Sequence, residues 1–369
     1  MAHTDLFIIG GGPAGLAAAI AVRQRGLSVT LADAARPPID KACGEGIMPD
    51  GIAALSDLGI TLPAQETSAF YGIRFLDAEH SVEARFSNGP GLGMRRTVLH
   101  SLLVDHAQRN GVSLHWGSRV SGLIAGGVQL ASGEEIPCRW IVGADGMNSR
   151  IRAWAGFSRT PHQKVRYGFR RHFRIEPWTD LVEVHWTQRG QLYITPVSTN
   201  EICVALVTRD QTLRVDEAIE ACPTVPAALR EAGCSTREQG ALSASFGLRS
   251  VVRRNCALIG EASGSVDSVT GEGMSLAFRQ ALALAKALKD DDLRAYQSAH
   301  RKLMRLPTIM ADLMLLMDQK HDLRRRALSA FSQRPDLFRR MLAIHTGNAS
   351  PFALGLRGTT SLGWNMLNA

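Results

Sequence analysis

Residues 5–15 read DLFIIGGGPAG, and the predicted fold class follows from this segment and its neighbours. Its first five residues form an apolar run of strand length, and a Gly-rich turn follows at once. Residues 16–25 are rich in Ala and other good helix formers, and residues 27–31 have the β-branched, alternating character of a second strand. The pattern predicts a strand, a Gly turn, a helix and a second strand, which together make a βαβ unit.

The turn has the spacing GxGxxG, with Gly10, Gly12 and Gly15 at its three fixed positions. We expect Gly10 to allow the tight turn, Gly12 to let the backbone approach a pyrophosphate, and Gly15 to let helix and strand pack closely. The N–H groups at the helix N-terminus face the phosphates, and Asp33, at the end of the second strand, is placed to accept hydrogen bonds from a ribose. The unit therefore predicts a bound dinucleotide.

Two later segments have the form of further ligand-binding strand ends. Residues 142–150, VGADGMNSR, place Asp145 and Gly146 after a short apolar strand. Residues 257–262, ALIGEA, end on a second acid, Glu261, and continue through TGEGM to a long predicted helix at 275–288. Open α/β sheets bind ligands at the carboxyl ends of their strands, so both segments are expected at the cofactor.

Taken together, these motifs resemble those of the FAD-dependent monooxygenases of the aromatic hydroxylase type and of the geranylgeranyl reductase-like flavoproteins. Those families share an N-terminal GxGxxG, a middle GADGxxSxxR and a late GDAAGxxxPxxGxG, which correspond here to residues 10–15, 143–150 and 260–273. The resemblance implies FAD as the cofactor. It also implies a Rossmann-like domain into which a substrate-binding sheet is inserted.

By this resemblance, Asp33 binds the adenosine ribose, Arg96 lies near the phosphates and ribityl chain, and Glu261 holds the ribityl chain. The N–H groups of Gly273, Met274 and Ser275 are expected to face the flavin pyrimidine, where a helix N-terminus stabilises the negative charge of the reduced form. The complete set of expected cofactor-binding residues is Gly10, Gly12, Pro13, Ala14, Gly15, Asp33, Ala34, Cys43, Arg96, Val120, Asp145, Glu261, Gly271, Gly273, Met274 and Ser275. Two positions depart from the family pattern, since Glu261 replaces the usual Asp and Ser268 the usual Pro.

Residues 40–49, DKACGEGIMP, resemble the KxCGE loop of reductase-like and halogenase-like members, where the loop lies near the cofactor. Cys43 and Glu45 are therefore candidate catalytic residues. The alternative is that the glycines only shape the loop and Cys43 is a small buried apolar residue.

The predicted fold class is α/β, with a discontinuous FAD-binding domain at 1–160 and 250–290 and an inserted antiparallel sheet at 161–249. Alternating segments in the insert place several polar and aromatic side chains on candidate substrate-facing positions: His172, His185, Trp186, Tyr193 and Thr195. Each of them is also compatible with ordinary sheet surface or core.

Residues 291–369 are predicted to be helical, with Met310, Leu313, Met314 and Met317 at helix spacing. Core packing is the favoured interpretation of these residues, and a lid over a lipophilic substrate is the alternative. The basic clusters 324–326 and 339–340 beside them suggest peripheral contact with an anionic membrane.

Composition excludes several other classes of protein. The 369 residues carry 42 Lys and Arg against 34 Asp and Glu, a net charge of +8, without the aromatic interleaving that single-stranded nucleic acid requires. The six cysteines have neither metal-ligand nor disulfide-framework spacing, so no metal site is expected. No signal peptide or bilayer-spanning segment is recognised, and a cytoplasmic location is expected.

The expected activity is that of an FAD-dependent oxidoreductase. The favoured version is a monooxygenase that hydroxylates a small aromatic or lipophilic substrate through a flavin C4a-hydroperoxide, with NAD(P)H as transient reductant and O2 as co-substrate. The alternative is a geranylgeranyl reductase-like enzyme that reduces isoprenoid double bonds. A halogenase and a flavin-binding module without turnover are weaker alternatives. No second GxGxxG unit is present for a separate nicotinamide domain, and the basic charge suits anionic ligands such as NAD(P)H.

Overall fold

The computed structural model describes residues 4–158 and 164–349. Its strands, in chain order, are β1 Thr4–Ile9, β2 Val29–Asp33, β3 Gly46–Ile47, β4 Ser68–Phe70, β5 Gly72–Leu76, β6 Ser81–Arg85, β7 Gly91–Gly93, β8 Ser113–Trp116, β9 Val120–Ile124, β10 Gly127–Leu130, β11 Glu135–Gly143, β12 Lys164–Arg174, β13 Val182–Trp186, β14 Gly190–Ser198, β15 Glu201–Thr208, β16 Gly233–Cys234, β17 Gln239–Ser245, β18 Val252–Arg253 and β19 Cys256–Leu258. The helices are α1 Pro13–Arg23, α2 Pro49–Asp57, α3 Arg96–Arg109, α4 Arg150–Trp154, α5 Val215–Glu220, α6 Ala227–Glu231, α7 Gly273–Lys289, α8 Leu293–Gln319, α9 His321–Gln333 and α10 Pro335–His345.

The first sheet has the order β18-β19-β11-β1-β2-β8, and β9 and β10 extend it from β11. Strand β1 lies at its centre and pairs in parallel with β2 and β11, while β11 pairs in parallel with β19. Leu6, Phe7 and Ile8 of β1 are completely buried, as a central parallel strand covered on both faces should be. The predicted βαβ unit is confirmed. Its second strand starts two residues later than expected, because Gly26 ends the preceding segment with a φ of +85°.

The second sheet has the order β16-β12-β15-β14-β13-β5-β6, with β17 also paired to β12. It supplies the additional sheet that was expected between residues 161 and 249. Two of its strands, β5 and β6, come from earlier in the chain, and β5 pairs with β13 in parallel. The sheet is therefore mixed at one edge, and its strand pairing crosses the division predicted near residue 160. The domain boundaries stay a prediction.

Helices α8, α9 and α10 form the predicted helical C-terminal region as far as residue 349. They pack on β5, β6 and β13 around an apolar cluster in which the rings of Phe75 and Phe338 have centroids 5.1 Å apart. Helix α8 runs 27 residues and includes Pro307. No helix among the described residues is both long and apolar enough to cross a membrane. The end of the predicted C-terminal segment, 350–369, lies outside the described residues.

Residues 166–174 are rich in arginine, and two of these arginines are buried in the folded protein. Arg166 and Arg170 are 1% and 2% exposed, and each pairs with an acid, Asp267 at 3.2 Å and Asp40 at 2.7 Å respectively. A buried guanidinium requires such a partner because an unpaired buried charge is strongly destabilising. These two ion pairs therefore connect β12 of the second sheet to the loops that follow β19 and β2 of the first sheet.

Candidate functional site

A cavity of about 700 Å³ lies between the carboxyl ends of the first sheet and the inner face of the second. Residues from the turns after β1, β2 and β11 line one end, and residues of β13, β14 and β15 line the other. Of the sixteen expected cofactor-binding residues, Gly15 and Ser275 do not line it, and the others do. The cavity therefore gathers segments that are far apart in the sequence into one elongated site.

The three fixed glycines of the turn have three different surroundings. A Cβ on Gly10, whose φ is +114°, would lie 2.3 Å from the carbonyl oxygen of Ala144, and one on Gly15 would lie 1.9 Å from that of Gly10. A Cβ on Gly12 would meet no atom within 4 Å, and Gly12 faces the cavity at the N-terminus of α1. Gly10 and Gly15 are thus required for packing, while Gly12 leaves space at a helix N-terminus, where anions bind.

Asp33 is fixed at the end of β2 by its own turn. Its Oδ2 accepts a hydrogen bond from the N–H of Gly11 (2.7 Å), and its Oδ1 accepts one from the N–H of Ala35 (2.7 Å). Nε2 of the buried His100 lies 2.8 Å from the carbonyl oxygen of Gly11 and holds the turn from the other side. The carboxylate is therefore oriented at the cavity wall and keeps lone pairs for ribose hydroxyls.

Two buried polar atoms of expected cofactor-binding residues that line the cavity lack a hydrogen-bond partner among the described residues. They are Nε of Arg96, at the start of α3, and Oδ1 of Asp145, after β11. The other oxygen of Asp145 accepts from the N–H groups of Arg150 and Ile151 and so fixes the carboxylate in place. Buried polar atoms are nearly always paired, so these two atoms fit a polar ligand such as the ribityl and phosphate part of FAD.

The two departures from the family pattern both have partners. Oε2 of Glu261 is 2.6 Å from Nζ of Lys41, which is the lysine of the KxCGE-like loop. Ser268 donates its backbone N–H to Oγ of Ser243 (3.1 Å), a bond that the usual Pro cannot make. The longer Glu261 side chain thus reaches a cation of the loop while it still lines the cavity.

The start of α7 forms the opposite wall. Gly273 and Met274 line the cavity, whereas Ser275 is buried behind them, where its Oγ would be 2.4 Å from a Cβ on Gly51. Burial, with a contribution from Asp50, raises the pKa of the preceding residue, Glu272, to about 8. Below that pH Glu272 is mostly neutral and does not offset the positive end of the α7 dipole. That end can therefore stabilise negative charge on a ligand.

Glu45 lies at a strained and fully enclosed point of the loop. Its φ is +60°, a conformation that costs a non-Gly residue about 1–2 kcal/mol, and its side chain is 1% exposed. Oε2 lies 2.6 Å from Nε2 of His172, and Oε1 accepts the N–H of Arg96 (3.0 Å). Backbone strain that is maintained by surrounding hydrogen bonds, as at Glu45, is typical of functional positions.

Positive charge surrounds the Glu45–His172 pair. Nη1 of Arg170 lies 3.5 Å from Oε1 of Glu45, and Nη1 of Arg95 lies 3.1 Å from Nδ1 of His172. With Cys203, the pair also brings three metal-ligand atoms within 4.8 Å of one another. Burial raises the pKa of the Cys203 thiol well above its usual range, and the two guanidinium groups oppose a further cation. These features argue against a metal site, and its expected absence stays a prediction.

At the far end, the cavity is mostly apolar. Tyr193 and Thr195 line it, but His172, His185 and Trp186 do not. The wall opposite the second sheet consists of α8 and α10 side chains, of which all but the histidine are apolar: Met304, Met310, Leu313, Met314, Met317, Phe338, Met341, Leu342 and His345. Met314 and Met317 also belong to the apolar cluster beneath α8, so the two interpretations of the Met-rich face, core and substrate wall, describe the same residues.

Sequence reasoning missed Asp40, Lys41 and Arg170 as members of the site. The buried Arg170 binds Asp40 at 2.7 Å and approaches Glu45, while Lys41 pairs with Glu261. The only signal for Arg170 in the sequence was its place in a basic stretch of β-strand character, where alternate residues face the interior.

These features define a class, the nucleotide-binding α/β flavoproteins. The chain matches the family model described as "FAD binding domain" over residues 3–291. It belongs to this FAD-binding family. It is an FAD-dependent oxidoreductase, and the predicted fold class and family resemblance are confirmed.

Three relatives illustrate the range of the similarity. The menaquinone reductase of Mycolicibacterium smegmatis is 28% identical over 334 residues, which cover 82% of this chain and 80% of that protein. The 6-methylpretetramide 4-monooxygenase of Streptomyces rimosus is 31% identical over 182 residues, which cover 44% of this chain and 43% of that protein. The crystal structure of a flavoprotein/dehydrogenase from Cytophaga hutchinsonii superposes with a TM-score of 0.83 at 16% identity and covers the whole of both chains.

Proposed function

We propose that this protein uses reduced FAD to hydrogenate a carbon–carbon double bond of a lipophilic, polyisoprenoid substrate. The observation that carries the proposal is the extent of similarity to the menaquinone reductase, 82% of this chain. The predicted FAD-binding segments make up only about half of the chain, so that similarity extends into the substrate side. The monooxygenase similarity covers 44% and can arise from the cofactor-binding segments alone.

The far end of the cavity supports a flexible apolar substrate. Met side chains adapt to irregular apolar shapes because they are unbranched and polarisable, and they form much of the α8 and α10 wall. The phenol of Tyr193 is already engaged, since its hydroxyl donates to the carbonyl oxygen of Val269 (2.9 Å). A polyisoprenoid chain needs volume and apolar contact rather than hydrogen bonds.

For the cofactor, we propose that Gly12 and the N-terminus of α1 bind the pyrophosphate and that Asp33 binds the ribose. Arg96, Asp145 and Glu261 would take the phosphate and ribityl groups, and the backbone of Gly273 and Met274 the flavin. When bound, reduced FAD supplies hydride. NAD(P)H as its reductant and a cytoplasmic location stay predictions.

The chain itself must supply the proton that accompanies hydride. We assign this role to the Glu45–His172 pair, because Glu45 belongs to the cavity loop and shares a short 2.6 Å contact with the imidazole. Nδ1 of His172 lies 3.0 Å from Oγ1 of the half-buried Thr236. The Thr236 hydroxyl thus lies between His172 and solvent, on the side away from the cavity. We propose that the Glu45–His172 pair is reprotonated through this hydroxyl.

Hydroxylation of an aromatic substrate is the second candidate. The 31% identity to a named monooxygenase favours it. The same cavity accommodates a lipophilic aromatic ring, and the activity would consume O2.

Peripheral membrane contact fits either substrate. On α8 the described side chains Ile309, Leu313 and Leu316 are 55%, 37% and 44% exposed, although Arg324 of the basic cluster is itself buried. Co-sedimentation with anionic vesicles at low and moderate salt tests this contact. Protein that stays in the supernatant at low salt would argue against it.

The test of function compares two substrate sets under two atmospheres. Purified FAD-loaded protein and NAD(P)H are incubated with polyprenyl quinones or with phenols, with and without O2, and products are analysed by mass spectrometry. We expect a polyprenyl product whose isoprenoid chain, and not only its quinone ring, has gained two hydrogen atoms, formed without O2. A product that has gained one oxygen atom, formed only in air, would establish the second candidate instead.

A further inference from the structure

A cluster outside the cavity combines a thiol, an imidazole and a carboxylate. Strand β13 directs Val182 and Val184 to the cavity, while Glu183 and His185, which alternate with them, face the opposite side of the second sheet. There they meet Cys222, in the turn between α5 and α6. The proposed function uses none of these three side chains.

The geometry is that of a base oriented between a thiol and an acid. Thr224 Oγ1 lies 2.8 Å from Nδ1 of His185 and 3.2 Å from Sγ of Cys222, so this hydroxyl bridges the imidazole and the thiol. On the other side of the ring, Nε2 lies 3.2 Å from Oε2 of Glu183. A nucleophile next to a base that a third group orients is the usual arrangement for an activated thiol.

The carboxylate of the cluster is firmly held. Nε1 of Trp178 donates to Oε2 of Glu183 (3.0 Å), and Nη1 of Arg74 donates to Oε1 (2.9 Å). Burial opposes ionisation of Glu183, but its hydrogen bonds to His185, Trp178 and Arg74 outweigh burial and lower its pKa. Glu183 is therefore a fixed negative charge beside the imidazole.

The thiol and the imidazole are shifted toward their charged forms. Burial alone would raise the pKa of the Cys222 thiol, but hydrogen bonds with His185 and Thr224 outweigh it and the pKa is lowered. Burial would lower the pKa of His185, but Cys222 and Glu183 raise it. By contrast, burial raises the pKa of Cys138 to about 12 and also raises that of Cys256.

We propose that Cys222 is a peroxide-reactive thiol activated by His185 and Glu183. The thiolate sulfur attacks one oxygen of hydrogen peroxide, the O–O bond breaks, and the departing hydroxide takes a proton from His185 to become water. Sulfur is oxidised to a sulfenic acid and the peroxide is reduced. The oxidant is within reach of this enzyme, because reduced flavins that meet O2 release hydrogen peroxide.

Access restricts which reagents reach the thiol. Cys222 is 1% exposed, but its neighbours Ala221 and Pro223 are exposed and Thr224 is half-buried. A peroxide molecule is about the size of two waters, whereas an aromatic disulfide reagent is much larger. Cys234, which is exposed and lies outside the cluster, provides an internal comparison.

The test exposes FAD-loaded protein to hydrogen peroxide with dimedone as a trap, and separately to the aromatic disulfide DTNB, and quantifies each Cys peptide by mass spectrometry. We expect peroxide to modify Cys222 about tenfold or more faster than Cys138, Cys256 or Cys234, and DTNB to label Cys234 first. In His185→Gln, trapping at Cys222 should fall about tenfold, with Cys234 unchanged.

Either of two results would overturn the proposal. One is peroxide trapping at Cys222 no faster than at the buried Cys138 and Cys256 of the wild-type protein. The other is an unchanged rate in His185→Gln. Labelling of Cys222 by DTNB in His185→Gln would show that the substitution has opened the fold. Glu183→Gln is then measured in place of His185→Gln. The comparison of Cys222 with Cys138 and Cys256 in the wild-type protein tests the proposal without any variant. None of these readouts depends on the substrate of the proposed reductase.

Discussion

Oε2 of Glu45 and Nε2 of His172 lie 2.6 Å apart, although 127 residues separate them in the chain. Both side chains are buried, at 1% and 0% exposure, and guanidinium groups flank the pair. The contact joins the loop after β2 to strand β12, and so joins the proposed cofactor side of the cavity to the second sheet. We propose that this pair supplies the proton that accompanies hydride transfer to the substrate.

Glu45→Gln tests that assignment, because Gln keeps the shape of the side chain and cannot donate the proton. We expect turnover to fall by about 10²-fold or more, the usual contribution of a positioned acid, while FAD stays bound. His172→Gln should lose activity and also alter the pH dependence of turnover. Glu83→Gln, which removes an exposed acid paired to Arg74, serves as the control and should leave the rate unchanged.

Activity of Glu45→Gln within twofold of the wild-type protein would contradict the proton assignment. Loss of FAD from the variant would indicate a structural role instead. The absorbance spectrum of the purified protein distinguishes these outcomes before any assay is run.

Gly12→Val should produce a protein that purifies without colour. The valine side chain would occupy the open space at the N-terminus of α1 that we assign to the pyrophosphate. Gly122→Val is the matched control, because a Cβ there also meets nothing within 4 Å and Gly122 lies away from the cavity. FAD retained at full occupancy in Gly12→Val would contradict the assignment of the pyrophosphate site.

Glu272 should make stability depend on pH. Burial raises its folded-state pKa from 4.5 to about 8, so the folded protein binds this proton more tightly than the unfolded chain does. Its contribution to the free energy of unfolding is therefore fully present below pH 4.5 and is lost as pH rises to about 8, at up to about 1.4 kcal/mol per pH unit.

Glu272→Gln removes that dependence. As pH rises from 4.5 to about 8, the unfolding temperature of the variant should therefore increase relative to that of the wild-type protein. The measurement is thermal unfolding of both FAD-saturated proteins at a series of pH values. Glu66→Gln, at an exposed position, controls for the change in net charge. Parallel curves for wild-type protein and Glu272→Gln would show that Glu272 is not buried as a neutral acid.

Met314→Trp should obstruct the apolar end of the cavity. Met314 is 8% exposed and lines the wall, so a larger ring there takes space from the substrate. We expect the KM for a polyprenyl substrate to rise about tenfold while FAD binding is unchanged, in line with the effect of a few methylene groups in an apolar pocket. Leu316→Trp, on the exposed side of the same helix, should leave KM unchanged; an equal rise in both variants would contradict the placement of the substrate.

The residues that the sequence predicted best are those whose structure is set locally. The turn at 10–15, its flanking strand and helix, and the segments around Asp145 and Glu261 follow from chain-local patterns, and they converge because the carboxyl ends of parallel strands meet at one sheet edge. Ser275 differs because it is the third residue of α7 and its side chain points at Gly51 rather than into the cavity.

The contacts that could not be predicted are those between distant elements. The parallel pairing of β5 with β13 has no local signal, and neither does the contact of Glu45 with His172. The burial of Arg166 and Arg170 could not be predicted either, because a one-dimensional pattern shows spacing and not the acids that neutralise a buried arginine. His185 and Trp186 alternate across β13, but both faces of that strand are covered, so alternation could not identify the cavity side.

Flavin reoxidation in the absence of O2 is the direct test of hydride transfer from reduced FAD to a substrate double bond. The FAD-loaded protein is reduced with dithionite under nitrogen and mixed in a stopped-flow instrument with a polyprenyl quinone whose quinone ring has been reduced beforehand, so that only its double bonds can accept electrons. We predict that the absorbance of oxidised flavin returns at a rate that depends on substrate concentration. A flavin that stays reduced until O2 is admitted would contradict the reductase and leave hydroxylation as the function to pursue.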